Sequence, residues 1–381
     1  MMIENYTVEL DVLTPVIINN GEYYQFGELL PSDKTVVIKD RYDGLPLPVI
    51  RKFYLNDMTD AFGCMSATEI TKFINRMTVA IAKRDEPVLI ECRSRIIKES
   101  GVNGKMPIRV LKKAYRDLSA KPLQSVTKIA SSPIDGKTYI PGSSIKGALR
   151  TGVLEGLRKS RNIDHWSSLT DGTPSFMRGN LPNQRKMKDA QNFEMEVMKN
   201  RPQNFNILDD PFKYLRISDF SFSGTDAITY ISKVGDDDKM PIYSAATSSY
   251  AFSGRHVTEQ GTVSVDSRFY SGIGMDENTG FQKILDLAGD FYIDNMDSIL
   301  HEVDTPLMKY VYNKIYAPMA REGQNMIRLG HYSGIKNCTF NVNQLNPPRS
   351  AAPDINIKGG RTVKLEEGVI PGMCMIRIVR G

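Results

Sequence analysis

The segment Tyr139–Arg150, YIPGSSIKGALR, carries the chain's clearest chemistry. Tyr139 and Ile140 end a strand, Pro141 and Gly142 turn the chain, and Ser143 or Ser144 can cap a helix. Ile145, Leu149, Val153 and Leu157 then recur at the spacing of a buried helical stripe. A helix that begins on such a turn presents unpaired N–H groups and a partial positive charge, a combination suited to phosphate. Lys146 and Arg150, four apart, share a face beside that end, and Gly147 leaves room where a backbone or ligand must come close. The same spacing also describes a capped helix with two exposed cations and Gly147 packed on a neighbouring strand. Neither the P-loop pattern nor GxGxxG is present, so a nucleotide-fold reading has no support.

Charge is concentrated around this segment. Between Ser143 and Arg201 eleven basic residues face six acidic ones, an excess equal to the whole chain's net charge of +5. Such a stretch suits a phosphate backbone; a solvated charged insertion carries the same excess. The four histidines, His165, His256, His301 and His331, lack HExxH spacing, and Cys64, Cys92, Cys338 and Cys374 form no CxxC pair. No metal and no cofactor are expected. Asp33 and the run Asp236–Asp238 read as polar turns.

The elements that must position these residues are of both kinds. Tyr6, Val8, Leu10 and Val12 alternate with polar residues as in a half-buried strand, and Asn20–Gly21 come next in a loop with Tyr23, Tyr24 and Phe26. A second strand is expected over 35–39, then a short helical stretch after Pro48. Ser66 and Glu69 have capping-box spacing before Ile70, Phe73, Ile74, Met77 and Ile81, with Pro87 as a stop. Val88–Ile97 reads as a strand, and Pro107 as the opening of a helix through Leu118. Residues 160–206 lose periodicity and read as a mobile or partly helical insertion. Strands return at 214–222, 227–234 and 261–269, helix covers 278–316 with a kink at Pro306, and Met373–Val379 closes as a strand. No apolar run spans a membrane and the start is not a signal peptide, so a cytoplasmic protein is expected.

The PGSS segment resembles the RAMP family, in which a strand is followed by PGSS, a branched apolar residue, a basic residue, glycine, an apolar pair and a second basic residue. Pro141 to Arg150 fill that pattern position by position. Leu13–Gly21 (LTPVIINNG), Leu215–Asp219 (LRISD), Ile327–Phe340 (IRLGHYSGIKNCTF), INIKGGRTV and GMCMIRI are similar to one branch of that family, the fifth subunit of the Csm complex of type III-A CRISPR systems. Ile17 stands where a histidine is common, and GHYSG departs from the denser glycine pattern of many members.

The order of elements fits, and the resemblance implies, an α+β protein of two ferredoxin-like, RRM-like units with helical and disordered insertions, divided as 1–205 and 206–381. A doubly wound Rossmann sheet is the less favoured alternative, since several adjacent strands lie too close in sequence for helical crossovers. It implies a non-catalytic subunit that binds the 3′ region of crRNA, with target RNA as a further partner, and caps a stack of related subunits by docking a neighbouring RAMP backbone subunit. RNA contacts are expected from Gly142, Ser143, Ser144, Lys146, Gly147 and Arg150, from Asn20 and Gly21, from Gly330, His331, Tyr332, Gly334 and Lys336, and from Lys358 and Arg361. Two alternatives stand beside it: a metal-independent RAMP endoribonuclease with His331 or His256 as general base, and another backbone subunit of a type III complex.

Overall fold

The fold was analysed in a computed structural model, which describes residues 2–31, 47–100, 107–163, 183–199, 206–224, 228–235, 241–300, 305–332 and 364–379. The chain runs β1 (Ile3–Val12), β2 (Asn19–Tyr23), β3 (Leu29–Pro31), β4 (Ile50–Leu55), α1 (Met58–Phe62), α2 (Ala67–Lys83), α3 (Glu86–Ser100), β5 (Pro107–Leu111), α4 (Lys112–Ala120), β6 (Val126–Ile129) and β7 (Tyr139–Ile140). It continues with α5 (Gly142–Ser160), α6 (Asn183–Lys199), β8 (Leu215–Ile217), β9 (Phe220–Ser221), β10 (Tyr230–Val234), β11 (Ile242–Ala246), α7 (Tyr250–Ser253), β12 (Thr258–Asp266), α8 (Arg268–Gly272), α9 (Phe281–Leu300), α10 (Pro306–Tyr310), α11 (Ala317–Arg321), β13 (Asn325–Arg328) and β14 (Met373–Val379).

The expected α+β class holds. One sheet is antiparallel in the order β13-β14-β1-β12-β8. With α5 between β1 and β8, and α9 between β12 and β14, it has the strand–helix–strand–strand–helix–strand order of a ferredoxin-like unit. Val8, Leu10 and Val12 turn inward, and the two helices cover that face over the largest core. The second sheet is mixed, in the order β2-β6-β11-β10-β5-β4-β3, with α4 beside it. Each sheet takes strands from both sides of residue 205, because β1 lies among late strands and β10 and β11 lie among early ones.

Helices α5 and α9 approach closely through small residues. A Cβ on Gly152 would lie 2.6 Å from the Ala288 Cα, and one on Gly156 would strike the Leu287 side chain at 2.8 Å. The Tyr292 hydroxyl donates to the Ala148 carbonyl at 3.0 Å, fixing the helices' relative rotation.

Several local expectations need correction. Val88–Ile97 belongs to helix α3: Pro87 stands in its first turn, where its missing N–H is harmless, and Leu89, Cys92, Arg93 and Ile96 bury one helical face. Pro107 opens a strand, in which Ile108 and Val110 are buried, and the helix starts only at Lys112. The stretch after Pro48 begins as strand β4, and the short helix expected there follows it as α1. The strand expected over 261–269 runs Thr258–Asp266, with Phe269 already in α8. At Pro306 a new helix begins, capped by the Thr305 hydroxyl. The Ser66–Glu69 capping box is formed as expected. The strand expected over 35–39 lies outside the described residues.

Valine at Gly152 should force α5 and α9 apart and lower stability by about 1–3 kcal/mol. Urea denaturation should show a lower midpoint at an unchanged slope. An unaltered midpoint would mean that the close approach contributes nothing.

Candidate nucleic-acid interface

Strand β7 delivers the chain to the site by pairing with β9, Tyr139 opposite Ser221 and Ile140 opposite Phe220. The turn after it leaves no room for a side chain at Gly142, where a Cβ would sit 2.2 Å from the Ile217 carbonyl oxygen. Neither Ser143 nor Ser144 caps α5 as expected. Pro141 occupies the cap position, and the Gly142 N–H donates to the carboxylate of Asp219, 2.8 Å away on the loop after β8. The cap is thus supplied by tertiary contact. Among the described residues the exposed Ser143 N–H meets no protein acceptor, so one donor of the first turn still points outward.

Lys146 and Arg150 share a face, as expected, but they do different things. Arg150 donates to Glu194 through Nε at 3.1 Å and Nη2 at 2.6 Å, and to both oxygens of Asp210 at 2.9 Å, while its guanidinium lies 4.9 Å from the Phe212 ring centre. Burial works against its charge, but Glu194 and Asp210 outweigh it and hold Arg150 above the ordinary guanidinium value. Among the described residues Lys146 has no hydrogen-bond or ion-pair partner; partial burial, aided by Arg150 and Arg216 and opposed by Asp210, pulls it below the usual lysine value. It faces an open cleft of about 370 Å³ whose rim includes Ser143, Gly147 and Lys213. Nothing lies within 4 Å of a Cβ built on Gly147, so that glycine borders open space rather than a packed strand.

Among the described residues, the cations at the C-terminal end of this helix are engaged within the protein. Arg158 pairs with Glu155 at 2.8 Å in a buried position, Lys159 with Asp294 at 2.7 Å, and Arg161 donates to the backbone carbonyls of Val197, Met198 and Ile273. Lys159 thus ties the end of α5 to α9, and Arg161 ties it to the ends of α6 and α8.

A second group of expected residues lies where the chain leaves β1 and where it leaves β13. Asn20 and Gly21 are exposed at a bulge of β2 against β6; Gly21 has a φ of +85° with no atom within 4 Å of an added Cβ. Gly330, at φ +82°, leaves space for the Ile17 carbonyl, which a Cβ would approach to 2.4 Å, and the His331 N–H donates to that same oxygen at 2.7 Å. His331 is exposed. Tyr332 is half-buried, and burial, then the nearby Tyr23 hydroxyl, push its own hydroxyl pKa upward. Gly334, Lys336, Lys358 and Arg361 lie outside the described residues, as do Asp33, Asp236–Asp238, His165 and His301. Of the aromatics, Tyr23 is exposed, Tyr24 lies under Lys128 with 5.3 Å from ammonium to ring centre, and Phe26 packs inward. Among the described residues no group of three or more His, Cys, Asp or Glu is placed to hold a metal.

Sequence reasoning missed Asp219, Glu194 and Asp210. Asp210 had a local signal, since Asp before Pro211 starts a helical turn and its carboxylate accepts the Phe212 N–H at 2.9 Å. Glu366 was missed too. It is buried, accepts N–H bonds from Lys113, Ala114 and Lys233, and so caps α4 from the far end of the chain. Burial raises its carboxyl pKa, and those three backbone donors oppose the shift.

Comparison with known proteins bears on the family and the fold. The RAMP superfamily model matches residues 9–271, and the chain belongs to that superfamily. Its fold is similar to that of a chain in the cryo-EM structure of a Csm–crRNA–target RNA ternary complex of a type III-A CRISPR-Cas system, with TM-score 0.63 and 16% identity over 98% of this chain and 100% of that one. It is also similar to the crystal structure of T. onnurineus Csm5, with TM-score 0.52 and 14% identity over 96% of this chain and 99% of that one. No curated protein matches the sequence significantly. No helix among the described residues is long and apolar enough to cross a membrane.

The two cations should separate cleanly by chemical denaturation. Arg150→Ala leaves Glu194 and Asp210 facing one another and should lower stability by about 1–3 kcal/mol. Lys146→Ala should stay within about 0.5 kcal/mol of the parent. Equal losses would contradict the division of roles.

Proposed function

We propose that this chain is a non-catalytic crRNA-binding subunit of a type III-A Csm effector complex, which caps the stack of RAMP subunits at the 3′ region of the crRNA and lies close to target RNA. The observation that carries this reading is the fold similarity across the full length of a chain from a Csm–crRNA–target RNA complex, which spans 98% of this protein. Membership of the RAMP superfamily and the likeness to Csm5 support it.

The site supports a particular mode of binding. An outward N–H at Ser143, the partial positive charge of a long helix and the unpartnered Lys146 offer a seat for one phosphate, with Gly147 letting a strand approach. Gly21, His331 and Tyr332 offer a second, flatter contact to sugar, phosphate or an unstacked base. None of these groups reads a base edge by its geometry, which suits a subunit that must accept guides of many sequences. One neighbouring RAMP subunit is the expected protein partner.

Fluorescence anisotropy with unrelated single-stranded RNAs over a salt series tests the helix end. Lys146→Ala should weaken every sequence to a similar degree and reduce the salt slope by about 1. Unchanged affinity and slope would return α5 to a purely structural role. One copy of the chain per assembled complex fits a cap, whereas several would make it a backbone subunit. RNA cleavage without divalent metal that disappears in His331→Ala would replace the non-catalytic reading.

A further inference from the structure

A second cleft, about 370 Å³, lies at the end of β1, β12 and β14, apart from the helix end and the glycine loop, and its lining includes Asp11, Lys314, Gln324 and Arg377. Two buried acceptors line it, of which one, Gln324 Oε1, is unsatisfied. Asp11 is 4% exposed; among the described residues it accepts a hydrogen bond from the Thr258 hydroxyl and has no basic group in ion-pair contact. Burial pushes its carboxyl pKa up, against the Thr258 bond and the charges of His256 and Arg377. Gln324 is 5% exposed, and its Oε1 meets no donor. The Gln324 oxygen calls for an N–H donor from outside, and the Asp11 carboxylate, which accepts from Thr258 through one oxygen, has room for another beside it.

The opposite wall is apolar, formed by Ile315, Pro318 and Met319. Its shape comes from a wide helical turn over Val311–Tyr316: the Ala317 N–H bonds the Tyr312 carbonyl, five residues back. Pro318 has no N–H to offer the Lys314 carbonyl, which gives a local reason for the bulge. Lys314 stands exposed at the mouth.

Charge narrows the choice of ligand. Asp11 and Glu322 face Lys314 and Arg377, and Arg377 already bonds Glu9 at 2.6 Å. A cation entering the cleft meets Lys314, and an anion meets the buried Asp11 carboxylate. A neutral flat ring with donors on one edge and an acceptor beside them meets neither penalty. Guanine has that edge: N1–H and the N2 amino group suit Asp11 and Gln324, while O6 suits Lys314 or His256, and the ring faces lie against the apolar wall. The volume falls near the small end of ligand sites, which run about 300–1,000 Å³.

We propose that this cleft is a pocket for a single unpaired guanine of a bound RNA strand. The proposal rests on the RNA-binding reading above and adds one base-selective position to an otherwise sequence-tolerant surface.

The test titrates the full-length chain with guanosine, inosine and adenosine 5′-monophosphates, monitored by saturation-transfer NMR. Guanosine monophosphate should bind about tenfold more tightly than adenosine monophosphate, with inosine monophosphate, which lacks the N2 amino group, between them. Asp11→Asn should remove the preference. Met319→Trp, which narrows the mouth without altering Asp11, should also remove it, and decides the matter if the Asp11 variant does not fold. Equal binding of the nucleotides, no binding, or tighter binding of N-acetylarginine amide overturns the proposal, the last making the cleft a seat for a protein side chain. The proposal and the reading on which it rests fail separately: Lys146→Ala should weaken RNA binding yet leave the guanine preference intact.

Discussion

Six residues between the two sheets, Leu13–Ile18, hold the molecule together through their backbone. They leave β1 in the ferredoxin-like sheet and lead to β2 in the mixed one, and Leu13–Ile17 are all buried although none is in a strand. Buried backbone away from a ladder must find partners elsewhere. Leu13 and Thr14 donate to the Met373 carbonyl at 3.0 and 3.1 Å, and Met373 donates to the Thr14 hydroxyl at 2.8 Å. Thr247 bonds Val16 twice, Ala251 donates to Leu13, Gly372 to Pro15, His331 to Ile17 and Ala130 to Ile18. Among the described residues, every segment that carries a candidate RNA contact is tied to this strap directly or through one neighbour. Gly330 and Gly372 are required by it, because a Cβ at either would strike a carbonyl, of Ile17 or of Leu329, at less than van der Waals distance.

The candidate site was legible in the sequence where its physics is local. Strand, turn and helix at Tyr139–Arg150 arise from neighbouring residues, and the buried stripe Ile145, Leu149, Val153 and Leu157 is as expected. What lay beyond reach was tertiary. The cap comes from Asp219, and the partners that neutralise Arg150 come from α6 and from the turn before β8. Counting charges along the chain therefore could not tell that Arg150, Arg158, Lys159 and Arg161 have partners within the protein. A guanidinium held by two carboxylates offers little to a phosphate, whereas the single ammonium of Lys146 remains available.

The fold was legible in a similar measure. Alternation marked β1, and the capping box marked α2. It failed at α3 and β5 because an apolar run bounded by proline does not declare its period: Pro87 can end one element or open the next, and Pro107 fits the first position of a helix or of a strand. Only the partners decide. Cys92 and Ile96 pack with α1 and α2, whereas Ile108 and Val110 fill the space beneath β4 and β10. The ordering of strands was hidden for a stronger reason, since β1 pairs with β12 and β14, which begin only at Thr258 and Met373.

The internal pairing of these cations bears on how the chain would hold RNA in the proposed role. With Arg150, Arg158, Lys159 and Arg161 engaged internally, few cations of α5 are free, and a lone helix end with one lysine gives only weak, salt-sensitive affinity. In a stack of subunits threaded by one strand, each contact is intramolecular once its neighbours have bound, and a weak seat becomes sufficient because the effective local concentration of the strand is high. A rigid strap that fixes the helix end and the glycine loop relative to each other then matters more than the number of cations. Contacts held at a fixed spacing along the backbone act together on one strand, whereas the same contacts on independently moving elements would each have to be ordered separately.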